Sequence, residues 1–123
     1  MKILIIEDNS LQAMILEMMI KKMGFEKVQK ALNGSSAEKL LKEYRPDVML
    51  VDINLDTNIS GIDLVKNIPK QHKPVVIYIS GNSDDHYKQM AAETNYLDFL
   101  IKPIDFKELE ALLTKISTSS PET

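Results

Sequence analysis

The chain predicts an α/β fold: a doubly wound, five-stranded parallel sheet in the order 2-1-3-4-5, with five helices. Strand-like and helix-like segments alternate five times, which calls for a parallel sheet with right-handed crossovers. Four of the strand runs are short and continuously apolar, as in strands buried on both faces. Each of those four runs ends in a polar residue, and in open α/β sheets the carboxyl ends of the strands form the ligand-binding edge.

The elements follow in order. Lys2 to Ile6 reads as the first strand, running into Glu7 and Asp8. Leu11 to Met23 is a helix stopped by Gly24. Lys27 to Ala31 is a short second strand, followed by an Asn33-Gly34 turn. Ser35-x-x-Glu38 has the pattern of a capping box and opens a helix to about Tyr44. Pro46 and Asp47 lead into the third strand, Val48 to Val51, which runs into Asp52. Gly61 to Ile68 is a short helix closed by Pro69. Pro74 begins the fourth strand, whose run Val75 to Ile79 ends in Ser80. Ser83, Asp84 and Asp85 cap a polar helix to about Thr94. Tyr96 to Ile101 is the fifth strand, ending in Lys102-Pro103. Asp105-x-x-Glu108 opens a last, leucine-rich helix to about Ile116. One domain is expected over residues 1–117, with 118–123 a short disordered tail and no output domain.

Composition narrows the function. A 44% hydrophobic and 27% charged chain is ordinary for a globular domain. The net charge of −3 argues against direct nucleic-acid binding. Cysteine is absent, which suits a reducing cytoplasm. The start lacks the zones of a signal peptide, and no apolar stretch approaches the ~20 residues of a membrane span. The expected localisation is cytoplasmic, without a membrane.

In the 2-1-3-4-5 order strands 1 and 3 adjoin, so Glu7, Asp8 and Asp52 become neighbours, flanked by Ser80 and Lys102. Three close carboxylates cannot all stay ionised without a cation, and hard oxygen ligands suit Mg²⁺. A carboxylate could act as nucleophile toward a phosphoryl group, with Lys102 and Ser80 holding its oxygens. Each residue alone has a plainer reading. Glu7 and Asp8 could begin a helix, Asp52 could be a cap, Ser80 and Lys102-Pro103 could merely end strands, and Phe99 could be core. His72 and His86 read as solvent-exposed, and Asp56, Asp63, Asp84 and Asp85 as loop or cap residues.

From about Lys2 to Ile116 the chain resembles the receiver domain of two-component response regulators, a flavodoxin-like fold. The resemblance implies that Glu7 and Asp8 are the acidic metal-binding pair and Asp52 the phosphoacceptor. It also implies that the backbone carbonyl of Asn54 completes the coordination of Mg²⁺ (or Mn²⁺). Ser80 matches the switch hydroxyl, Phe99 the switch aromatic, Lys102-Pro103 the lysine with its usually cis proline bond, and Gly61 the loop glycine. Asn54 and Asn82 match positions that tune the reset rate. The implied function is a phosphorylation-dependent switch that takes a phosphoryl group from a histidine kinase or histidine phosphotransfer protein. It is not an enzyme acting on other substrates but a phosphoacceptor with self-catalysed phosphotransfer and autodephosphorylation. A downstream protein would read the face of helix 4, strand 5 and helix 5.

There are departures from the family pattern. Gly81 stands where alanine is common, Leu55 to Ser60 lacks the usual Met-Pro pair, and Asn95-Tyr96 replaces Gly-Ala. Asn95 is expected to supply the left-handed conformation of the missing glycine. The first helix is apolar on two faces: Leu16, Met19, Ile20 and Met23 suit the sheet, while Leu11, Met14, Ile15 and Met18 form a second set. That second set either docks the phosphoryl donor or widens the buried stripe.

Three other readings fit the residues less well. A phosphatase of the haloacid dehalogenase type would use Asp52-Ile-Asn-Leu-Asp56-Thr57, but Asn54 replaces its general acid and no cap domain is present. An FMN carrier would need a Ser/Thr/Gly-rich loop after the first strand, where Glu7-Asp8-Asn9 would repel a phosphate. A receiver-like chain that is never phosphorylated does not fit the intact residue set.

Overall fold

Side chains alternate between the two faces of a sheet, so continuous apolar strands need cover on both sides. The chain meets that demand with three layers. A computed structural model describes residues 1–53, 61–69, 71–81 and 85–119. Its elements are β1 (Ile3–Ile6), α1 (Ser10–Lys22), β2 (Val28–Ala31), α2 (Gly34–Glu43), β3 (Val48–Asp52), α3 (Gly61–Lys66), β4 (Val75–Ser80), α4 (Asp85–Ala91), β5 (Asp98–Ile101) and α5 (Phe106–Ser119). All pairings are parallel and the order is β2-β1-β3-β4-β5. The expected fold is the observed one.

Strand parity divides the core. Ile3, Ile5, Val48, Leu50, Ile77, Ile79 and Leu100 pack with Ala13, Leu16 and Ile20 of α1 and Leu109 and Leu113 of α5. The alternate residues Leu4, Ile6, Met49, Val51, Val76 and Tyr78 pack with Ala37 and Leu41 of α2, Ile62 and Leu64 of α3 and Ala91 of α4. β1, β3 and β4 are therefore buried almost throughout, whereas β2 at the edge exposes Gln29 and Lys30.

Local chemistry sets the helix ends. Asn9 caps α1 by accepting from the Gln12 N–H at 3.0 Å, and Gly24 follows the Met23 cap with φ +103°. α2 departs from its expected start. Its N-cap is Asn33, not Ser35: the Asn33 side chain accepts from Ser36 N at 2.8 Å, and Ser36 Oγ takes the reciprocal role expected of Glu38. Asn33 wins because its backbone is extended (φ −158°) immediately before Gly34, the geometry an N-cap needs. Asp105 caps α5 by accepting from the Lys107 N–H at 3.0 Å. α5 continues to Ser119, two residues into the stretch expected to be tail, and Thr118 Oγ1 back-bonds to the Thr114 carbonyl at 3.0 Å. The cap expected from Ser83 and Asp84 lies outside the described residues.

Two further expectations are corrected. α4 ends at Ala91, and Asn95 is not left-handed; among the described residues positive φ occurs only at Arg45 and Gly24. Thr94 closes the turn instead, its Oγ1 donating to the Ala91 carbonyl at 2.7 Å. That hydroxyl has one proton, so Tyr78 OH is the donor in its 2.7 Å bond to Thr94 Oγ1. His72 is not solvated but half-buried, with Nε2 at 2.8 Å from the Pro46 carbonyl. That bond satisfies a carbonyl which follows the turn out of α2.

Candidate functional site

Glu7 lies one residue past β1, Asp52 ends β3, and Lys102 lies one residue past β5. All three continue the strand parity that faces α1 and α5, so their side chains emerge on the same side of the sheet rim. Glu7 is 5% exposed and Asp52 3%. Carboxylate oxygens of Glu7, Asp8 and Asp52 all lie within 4.8 Å of one another. The sequence-predicted acidic trio is thus brought together.

Lys102 bridges it. Its Nζ donates to Glu7 Oε1 at 3.0 Å and Asp52 Oδ2 at 3.1 Å, and to Gln12 Oε1 at 2.8 Å. Burial works against the Lys102 ammonium, but the bonds to Glu7 and Asp52 outweigh it and raise the lysine's affinity for its proton. Glu7 also holds its proton more tightly, which for a carboxylate disfavours the charged form. Burial, with Asp52's charge beside it, pushes its pKa from 4.5 to about 7, against the lowering effect of bonds from the Asn9 N–H and Lys102. The rim therefore holds more carboxylate than one ammonium neutralises, a donor set that fits a hard divalent cation.

Ser80 is fully buried at the end of β4, and the Lys102 N–H donates to its carbonyl at 2.8 Å, which locks β5's exit against β4. Its parity differs from that of Glu7, Asp52 and Lys102: Ser80 follows Tyr78 on the α2–α4 face. Phe99 shares that face. Its ring lies 6.3 Å from Tyr78's, and Lys88 Nζ lies 5.9 Å from its centroid. Tyr78, its hydroxyl pKa pushed up to about 12 by burial, also meets Tyr96 at 5.5 Å. Tyr96 thus joins an aromatic layer with Tyr78. The Lys102-Pro103 bond is cis.

Gly61 stacks on Asp52: a Cβ there would strike the Asp52 carbonyl oxygen and approach Val51 Cγ1 to 2.7 Å. Gly81 carries no such demand, since a Cβ would meet nothing within 4 Å. Asn54, Asp56 and Asn82, with the loop Leu55 to Ser60, lie outside the described residues, as does the side chain of His86. On α1, Leu11, Met14, Ile15 and Met18 are 43–62% exposed, while Leu16 and Ile20 are buried. The wider-stripe reading of that second set is therefore overturned. Gln12 joins the site with no motif to mark it; its one sequence signal is its place three residues after Asn9.

A doubly wound sheet whose rim gathers acids and a lysine beside the β1/β3 switch point is an α/β domain with a candidate metal-and-phosphoryl site. The family model for the response regulator receiver domain matches residues 3–114, and the chain belongs to that family. Chemotaxis protein CheY of Thermotoga maritima is 30% identical over 117 residues, covering 94% of this chain and 97% of that protein. Transcriptional regulatory protein BtsR of Salmonella typhi is 30% identical over 116 residues, 94% of this chain and 47% of BtsR. The chain thus spans about half the length of several curated relatives it matches. Among solved structures, the N-terminal domain of an uncharacterized Wolinella succinogenes protein is 32% identical with a TM-score of 0.87, covering 96% of this chain and 94% of that one. The receiver domain of a sensor histidine kinase from Pseudomonas aeruginosa PAO1, with magnesium in its active-site cleft, shares the fold at 22% identity and a TM-score of 0.81, covering 96% and 98%. The match is to receiver domains, and nothing supports the phosphatase reading. Among the described residues no helix is long and apolar enough to cross a membrane.

Proposed function

We propose that this receiver domain is a phosphorylation-dependent switch with Asp52 as phosphoacceptor. The observation that carries the reading is the convergence of Glu7, Asp52 and Lys102 on one side of the rim. An Asp52 carboxylate oxygen attacks the phosphorus of a phosphohistidine. The P–N bond breaks, and its electron pair leaves on the imidazole nitrogen. Lys102 pairs with one phosphoryl oxygen as a point charge, and Ser80 donates to another. Glu7, Asp8, Asp52 and the Asn54 carbonyl would hold Mg²⁺ or Mn²⁺. When bound, that ion neutralises charge developing on the phosphoryl oxygens. Reset is autodephosphorylation: a water oxygen attacks phosphorus, the bond to Asp52 breaks, and its pair returns to the carboxylate.

The donor is a histidine kinase or histidine phosphotransfer protein that docks on Leu11, Met14, Ile15 and Met18, whose exposure beside the rim supports this role. The output is a turn of Phe99 that repacks the α4–β5–α5 face for a downstream protein. Nucleic acid is not contacted directly, and the work is cytoplasmic.

Intact mass after incubation with Mg²⁺ and acetyl phosphate tests the core of this. One phosphoryl adduct is expected, absent in Asp52→Asn. No adduct in the unaltered chain, or an adduct that survives Asp52→Asn, overturns it.

A further inference from the structure

Asn9-x-x-Gln12 has the residue types of a capping box at the start of α1. Only half of the box forms. Asn9 Oδ1 accepts from the Gln12 N–H, but the Asn9 N–H, which Gln12 would otherwise engage, donates to Glu7 Oε2 at 3.1 Å. The Gln12 side chain is released from the cap and reaches Lys102 instead, at 2.8 Å. A lysine ammonium has three N–H donors. Here they are directed to Glu7, Asp52 and Gln12, and the bond to Gln12 is the shortest.

The three acceptors are not equivalent. Glu7 and Asp52 belong to the acidic cluster, so a cation there shares their oxygens and weakens their hold on Lys102. The Gln12 amide is neutral and lies outside the cluster, so a cation on the acids does not compete for its oxygen. Gln12 and Lys102 also line a cavity of about 430 Å³ whose other walls include Ile15, Met19 and Ile104.

We propose that Gln12 is a positioning residue for phosphoryl transfer. Its amide oxygen keeps the Lys102 ammonium beside Asp52 while the carboxylates are shared with a cation, so that Nζ is in place when the phosphoryl oxygen arrives. This rests on the reading of Asp52 as phosphoacceptor.

Gln12→Met keeps the length of this exposed side chain and removes the acceptor; Gln12→Glu restores an oxygen. The first measurement needs no metal: acylation of Lys102 by an amine-reactive ester, followed by peptide mass spectrometry. Loss of one charge-assisted hydrogen bond predicts labelling about fivefold faster in Gln12→Met. Gln12→Glu is expected to return it to the rate of the unaltered chain. The second is the rate of adduct formation from acetyl phosphate at saturating Mg²⁺, read by intact mass since the chain has no tryptophan. Gln12→Met should slow it about fivefold, and should have no effect in a Lys102→Ala background, because coupled residues are not additive. Unchanged labelling, an unslowed adduct, or equal slowing in both backgrounds overturns the proposal. An unaltered chain that never forms an adduct sinks the reading of Asp52 and this inference together. An adduct whose rate ignores Gln12 sinks the inference alone.

Discussion

Glu7 bears the electrostatic cost of the rim. Its carboxyl ordinarily titrates at 4.5 but in the fold holds its proton up to about 7, chiefly because burial penalises the anion. Between those values the native chain binds a proton that the unfolded chain has lost. Stability from this group is therefore fully present below pH 4.5 and lost as pH rises through about 7. Glu7→Gln should remove that dependence. In the metal-free chain, urea unfolding should show the variant more stable by about 3 kcal/mol above pH 7 and equal to the unaltered chain near pH 4.5. A gain that persists at low pH would contradict burial as the cause.

Helix starts show where element-scale reading succeeds and where it slips. Asp105 caps α5 as its pattern predicts, but α2 begins at Asn33 although Ser35-x-x-Glu38 carries the stronger sequence pattern. Overlapping candidates compete for the same N–H groups, and backbone direction out of β2 decides between them. Asn33→Ala should cost about 1 kcal/mol in denaturant unfolding, and Ser35→Ala under about 0.5 kcal/mol. α1 has a different ambiguity: two apolar faces were visible, and only packing reveals that Leu16 and Ile20 meet the sheet while Met14 and Ile15 do not. Met14→Lys and Ile15→Lys should slow transfer from a phosphohistidine protein donor about tenfold, the scale of one lost interface contact. Transfer from acetyl phosphate should be unchanged. Equal slowing with both donors would remove α1 from the docking surface.

For the whole molecule, the rim joins the ends of β1, β3 and β5, strands carried into place by both helical layers. A cation held by Glu7, Asp8 and Asp52 binds only when β1 and β3 are paired, so it stabilises the folded state by mass action. At about a hundred times its dissociation constant Mg²⁺ should add about 2.7 kcal/mol, seen as a Tm that climbs with Mg²⁺ concentration. Asp8→Asn should flatten that climb, and removing the metal with EDTA should restore the lower Tm. An unaltered chain whose Tm ignores Mg²⁺ would leave the acidic trio without its proposed role.

The architecture and the membership of the acidic site follow from local pattern. Continuous apolar runs such as Ile3–Ile6 and Val48–Val51, alternating with helical segments, read as parallel strands covered on both faces, and their polar termini then share one edge. What local pattern could not carry is anything set by contact between distant segments. Strand parity sends Glu7, Asp52 and Lys102 toward α1 and α5 while Ser80 and Phe99 face α2–α4. Thr94 rather than Asn95 closes the turn after α4 because Tyr78, sixteen residues away, supplies its partner. Gln12 meets Lys102 across ninety residues. Periodicity reports which faces must be buried; only folding decides which side chains meet there.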